Sequence, residues 1–223
     1  WLILFILVYF WSVPAHAGGA LYITSNGTPS VWDNSDAILL DIEAGSCGPF
    51  ANSEMLTKME GIVALWTGLT EVNLSFTVAT GTLPAIDSTN YTSYYYNGDA
   101  ATTDNRSDLV NPIIFDEDGE ITAEGAGEAN QLFVLGFAGP VGLSTTDTEI
   151  YDGQAVINCM CIEGAADSDC VSSGVAIEYT ETELDTTIMH EMGHFLNLDH
   201  SQVNVDFYDD AVNKNATMLL IMY

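Results

Sequence analysis

Apolar positions along the chain change rhythm several times, and each rhythm predicts an element. Residues 37–43 (AILLDIE) are a nearly unbroken apolar run, which predicts a mostly buried strand. Met55, Leu56, Met59, Ile62, Val63 and Trp66 then recur at helical spacing, predicting an amphipathic helix capped by Asn52 or Ser53 and closed by Gly68. Leu74, Phe76 and Val78 alternate with Ser75, Thr77 and Ala79, the period of a half-buried strand. From Thr80 to Asn111 the chain is polar and rich in Tyr, Asn, Ser and Asp, so long loops are predicted there. Pro112–Phe115, Leu132–Ala138 and Gln154–Asn158 predict three more short strands. A second helix is predicted over Glu183–Leu196, where Thr182 and Asp185 have capping-box spacing and Leu184, Ile188, Met192 and Phe195 form one apolar side. Strand, helix, several strands and a second helix make a mixed α/β (α+β) domain.

Length is consistent with one such domain, since 223 residues supply a substantial core without requiring a second. The chain opens on an uncharged apolar run, Trp1–Val13, followed by Pro14-Ala15-His16-Ala17 and Gly18-Gly19. That pattern predicts a secretory signal over residues 1–17, cut short at its front and cleaved after Ala17, with the folded domain over residues 18–223. A membrane anchor is the alternative, but the run falls short of the roughly 20 residues that a spanning helix needs.

Charge narrows the partners. Against 32 acidic residues stand three basic ones, Lys58, Arg106 and Lys214, and the formal net charge is −29. Nucleic-acid phosphates and anionic lipid both need the opposite sign, so neither is a partner. The acidity keeps a surface solvated by self-repulsion, and some of the carboxylates are candidates for Ca²⁺. Four cysteines remain, Cys47, Cys159, Cys161 and Cys170. Export permits disulfides, and a Cys159–Cys161 bridge is geometrically poor because one residue separates them. Cys170 is therefore expected to pair with Cys159 or Cys161, and Cys47 with the other.

The second helix carries the chemistry. His190 and His194 lie four residues apart, on one face and one turn from each other. Two imidazoles at that spacing reach a single Zn²⁺, and Glu191 stands close enough to act on a water beside it without being a ligand. No glutamate occurs after Glu191, so a downstream Glu is not the third ligand. His200, just past the helix end, is the preferred one, ahead of Asp206, Asp209 and Asp210. Apart from His16 in the predicted signal, these three are the only histidines in the chain, and scattered structural use would not place them together.

The segment from His190 to Ser201 (HEMGHFLNLDHS) resembles the extended zinc signature of the metzincins, and its Leu-Asp-His-Ser ending resembles the matrixins most. The resemblance implies a twisted, mostly parallel five-stranded sheet with a backing helix, an active-site helix and a C-terminal subdomain that runs on past Tyr223. Residues 37–79 match the family's opening strand, helix and strand, and Leu132–Pro140 resembles the antiparallel edge strand that lines the cleft. The implied activity is that of a secreted zinc endopeptidase, with His190, His194 and His200 as ligands of one catalytic Zn²⁺ and Glu191 as general base. Structural Ca²⁺ is implied as well. A protein or peptide substrate would lie extended along the edge strand. The family's Met-turn would fall at Met218, with Met222 as the other candidate. Asn197 stands where the family usually has Gly; Asn tolerates the left-handed backbone that this position needs.

Two further motifs are weaker. Ser46-Cys47-Gly48-Pro49 is similar to the cysteine element that holds matrixins latent, but it falls inside the domain and lacks the flanking Arg and Asp, so a disulfide is the preferred role. Asp116-Glu117-Asp118-Gly119-Glu120 is similar to the middle of a calcium loop, but Ile114 and Gly125 stand where acids are needed, and a tight turn after a strand is preferred. The rival to a peptidase is a non-catalytic secreted binding or adhesion module that keeps a zinc site. An intact Glu191 argues against it.

Overall fold

The computed structural model describes residues 19–33, 35–69, 73–80, 83–94, 110–144, 148–164, 170–172 and 174–200. The predicted signal, Asp206, Asp209, Asp210 and the Met-turn candidates Met218 and Met222 lie outside them. In chain order the elements are strands β1 (Val31–Trp32) and β2 (Ile38–Ile42), helix α1 (Asn52–Thr67), strands β3 (Phe76–Thr80) and β4 (Pro112–Asp116), helix α2 (Glu120–Ala126), strands β5 (Gly136–Leu143), β6 (Glu149–Asn158), β7 (Val171–Ser172) and β8 (Val175–Ala176), and helix α3 (Glu181–Phe195).

The architecture is α/β, built on a mostly parallel sheet. Its strands run in the order β1-β6-β4-β2-β3, with β5 also paired to β6. Every pairing in it is parallel except β5 with β6. Ile150 of β6 pairs with Trp32 on β1 and with Leu143 on β5, so β5 takes one edge of β6 while β1 and β4 share the other. Among the described residues β5 therefore has one edge unpaired. The two-residue β1 takes the sheet from the five strands implied by the resemblance to six.

Alternation along the strands divides two apolar layers. Ile113 and Phe115 of β4 and Ala155 and Ile157 of β6 point to one face, where Met55, Met59, Ile62 and Val63 of α1 meet Leu184, Ile188, Met192 and Phe195 of α3. Ile114 and Val156 point to the other face, against Ile121 of α2, Leu83, Ile86 and Tyr91. Covered on both faces, β4 (PIIFD) is buried throughout, whereas β3 half-buries Phe76, Val78 and Ala79 and exposes Thr77 and Thr80.

Several boundaries differ from the predicted ones, each for a local reason. Asn52 is the first residue of α1 and not its cap: its Nδ2 donates to the carbonyls of Glu43 at 2.7 Å and Gly45 at 3.0 Å, tying the helix to the end of β2. The cap is Ala51, whose N–H donates to Glu54 Oε2 at 2.9 Å. Helix α3 starts two residues before its predicted first residue, because Thr180 and Glu183 form the capping box in place of Thr182 and Asp185. Asp185 instead accepts from Lys58 Nζ at 2.9 Å, joining α3 to α1. Strand β5 begins at Gly136 and not at Leu132, since Asn158 Nδ2 takes the carbonyls of Gln131 and Val134 and holds that stretch as a turn. The acidic run after β4 is a turn that leads into α2. Asp116 accepts from the N–H groups of Ile121 and Thr122 and from the Thr122 hydroxyl, and Asp118 accepts from Glu120 N–H.

Both cysteine pairs fall within the expected set: Cys47 bonds Cys159 and Cys161 bonds Cys170. With its sulfur in a disulfide, Cys47 is no metal-ligating latch. Among the described residues no helix is long and apolar enough to cross a membrane.

Glu43, 1% exposed just past the end of β2, ties three segments together. Its Oε1 accepts from Phe115 N–H at 2.7 Å and its Oε2 from Ile86 N–H at 2.6 Å. Burial, which outweighs these donors, raises its pKa from 4.5 to about 7, and Glu117 adds to the rise. The folded protein therefore keeps a proton that the unfolded chain has released between pH 4.5 and about 7, so stability falls as pH rises across that window. Glu43→Gln removes the titration and leaves one N–H facing an amide NH₂, a loss of about 1–3 kcal/mol. In urea denaturation the gap between wild type and Glu43→Gln should be widest near pH 4.5 and narrow toward pH 7; a gap independent of pH contradicts this assignment.

Candidate metal centre

Helix α3 presents His190 and His194 from its last two turns, both 7% exposed, because its opposite side is pinned in the core by Leu184, Ile188 and Phe195. The helix ends at Phe195 and the chain reverses at Asn197, the one non-glycine residue with positive φ (74°) among the described residues. The reversal brings exposed His200 back over the other two. His200 Nε2 lies 3.1 Å from His194 Nε2 and 3.2 Å from His190 Nε2. Three nitrogens bound tetrahedrally at about 2.0–2.1 Å stand roughly 3.3–3.4 Å apart, so the observed spacing is close to that of a shared ion. Among the described residues this is the group of side chains that converges tightly enough to hold a metal.

Tautomers and protonation favour the same use. His194 Nδ1 lies 2.7 Å from the Leu198 carbonyl, which can only accept, so Nδ1 carries the proton and Nε2 offers its lone pair. Burial, and then the neighbouring His194 and His200, lower the His190 pKa to about 4. Burial likewise holds His194 below the ordinary imidazole value. Both rings are therefore neutral near pH 7 and can ligate without first losing a proton.

Glu191 is 5% exposed, and burial raises its pKa to about 8. Its Oε2 is buried and makes no hydrogen bond among the described residues. A buried carboxylate oxygen with no protein partner is costly unless something in the site uses it. A cation held by the three imidazoles is the counter-charge that favours its ionised form. The residues present thus fit a metal ion, with a buried carboxylate on the same helix.

Comparison with known proteins returns no matching family model, no matching curated protein and no matching solved structure. What the centre can do is set by its own donors: three neutral imidazoles suit zinc and several other transition metals. The structure brings His190, His194 and His200 together and buries Glu191 on the same helix.

Two supporting residues, Trp32 and Gly136, escape a reading of the sequence, and a third, Asn197, is legible there only as a turn residue. Trp32 stacks on Phe195 with ring centroids 4.8 Å apart, and its Nε1 donates to the Phe195 carbonyl at 3.0 Å, fixing the end of α3. Asn197 serves through its side chain as well as its backbone. Gly136, the first residue of β5, lies directly against Glu191: a Cβ there would stand 2.8 Å from Glu191 Cγ and 2.9 Å from the Val156 carbonyl. Only the glycine hinted at such a close approach, and spacing alone does not say to what.

Gly136 and Gly61 make a controlled pair. An added methyl at Gly61, exposed within α1, meets nothing within 4 Å. Gly61→Ala should stabilise the fold by roughly 0.5–1 kcal/mol, whereas Gly136→Ala should cost about 1–3 kcal/mol by overpacking against Glu191 and β6. Chemical denaturation of the metal-free protein reads both signs, and a neutral Gly136→Ala contradicts the contact.

Proposed function

We propose that this chain is a secreted zinc-dependent endopeptidase of the matrixin type. The observation that carries the proposal is the convergence of the His190, His194 and His200 Nε2 atoms, with Glu191 buried on the same helix and its Oε2 without a hydrogen bond among the described residues. Two disulfides agree with an oxidising, extracytoplasmic setting. In the proposed assignment the three histidines hold one zinc ion. When bound, zinc supplies Lewis acidity, lowering the pKa of water from about 15.7 to about 7 and stabilising the oxyanion of an attacked carbonyl. Glu191 Oε2 takes the proton of the attacking water and returns it to the leaving amide nitrogen. His194, oriented by the Leu198 carbonyl, stays in the tautomer that donates its Nε2 lone pair inward. An extended substrate adds along β5, on the edge that no described strand pairs, next to Glu191, so backbone pairing delivers the scissile bond to the base.

Glu191→Gln separates binding from chemistry. The variant should bind zinc as wild type does and lose protein-cleaving activity by roughly a hundred- to ten-thousandfold. Chelator-sensitive cleavage that survives the substitution would sink the assignment of the base. A wild-type chain that binds zinc but cleaves no protein would instead be a non-catalytic zinc-containing binding module.

A further inference from the structure

The turn that returns His200 to the site is held from outside. Residues 19–22 lie antiparallel to residues 197–199, with an Ala20–Leu198 bridge. Leu21 N–H donates to the Asn197 carbonyl at 3.0 Å, and Asp199 N–H to the Gly19 carbonyl at 2.9 Å. The Asn197 side chain, on a residue 3% exposed, closes the contact: its Oδ1 accepts from Tyr22 N–H at 2.7 Å, and its Nδ2 donates to the carbonyls of Tyr22 at 3.0 Å and Ser30 at 2.9 Å.

The three residues so held set two of the histidines. The Leu198 carbonyl receives His194 Nδ1, and Asp199 Oδ1 accepts from His200 N–H at 2.7 Å. A glycine at position 197 meets the positive φ without strain but supplies none of the three side-chain hydrogen bonds. The asparagine adds to the turn a grip on the N-terminal segment.

We infer that Asn197 and the segment Gly19–Ser30 form a clamp that positions His194 and His200, so that metal affinity is set from the N-terminal side of the domain. The inference rests on the three histidines being a metal centre. Asn197 acts through its neighbours and is a positioning residue. Groups that orient metal ligands change affinity by about 10- to 100-fold when removed.

The test compares the full chain with Asn197→Gly, which keeps the turn and removes the three side-chain hydrogen bonds of the clamp, and with Thr180→Ala, which weakens the far end of α3 and leaves the turn alone. Zinc affinity is measured by competition with a chelator, and coordination by the visible absorption of the cobalt(II) form. Asn197→Gly should weaken zinc binding about 10- to 100-fold, alter the cobalt(II) spectrum and speed exchange of the Tyr22 amide. Thr180→Ala should lower the melting temperature and keep wild-type affinity and spectrum. If Asn197→Gly fails to fold, Tyr22→Pro, which deletes the N–H donor to Asn197 Oδ1 and keeps the carbonyl of residue 22, should weaken zinc binding in the same direction. Wild-type affinity in whichever clamp variant folds, or an equal loss in Thr180→Ala, overturns the clamp. Failure of the wild-type chain itself to bind zinc overturns the metal centre, and the clamp with it.

Discussion

A helix brings two histidines to one metal by its own periodicity, but a third must come from chain that has already left it. In this protein that depends on one sharp reversal, between the last residue of α3 and His200. A non-glycine residue in the left-handed region costs about 1–2 kcal/mol, and Asn197 offsets this with three side-chain hydrogen bonds to Tyr22 and Ser30. The return also needs a fixed starting point. Trp32 supplies it by stacking on Phe195 and donating to its carbonyl. Gly153 of β6 leaves room for that stack, since a Cβ there would stand 2.9 Å from both rings.

The sheet serves the same end. Helix α3 packs on β5 and β6, and its apolar side is shared with α1 in one continuous core. Lys58, one of only three cations in the chain, bridges from α1 to Glu181 and Asp185 at the start of α3. Such partly exposed ion pairs contribute little each; the core and the capping box hold the helix, and the lysine adds a polar link between the two helices. At the other end, Gly136 lets β5 approach Glu191 closely.

Much of this was legible in the sequence, for physical reasons that differ by element. Strand β3 and helix α1 showed their periods because one face of each is covered and the other wet. The histidine and glutamate spacing was legible because helical geometry converts it directly into proximity. What did not show were features set by partners distant in sequence. Asn52 reads as a cap, yet it bonds the end of β2; the stretch Leu132–Leu135 reads as strand, yet Asn158 takes the carbonyls of Gln131 and Val134 there. Thr180 and Thr182 both have capping-box spacing, and Lys58, on another helix, engages Asp185 of the second pattern. Asn197 was legible as a turn residue but not as a clamp, because its partners lie 175 and 167 positions earlier.

The central claim is that three imidazoles of one chain hold one metal ion. X-ray absorption spectroscopy of the zinc-loaded full chain tests it most directly. One zinc per chain is expected, with three imidazole nitrogens at about 2.0–2.1 Å and no sulfur in the coordination shell. A chain that retains no zinc after purification and reconstitution, or a shell lacking the three imidazoles, would contradict it.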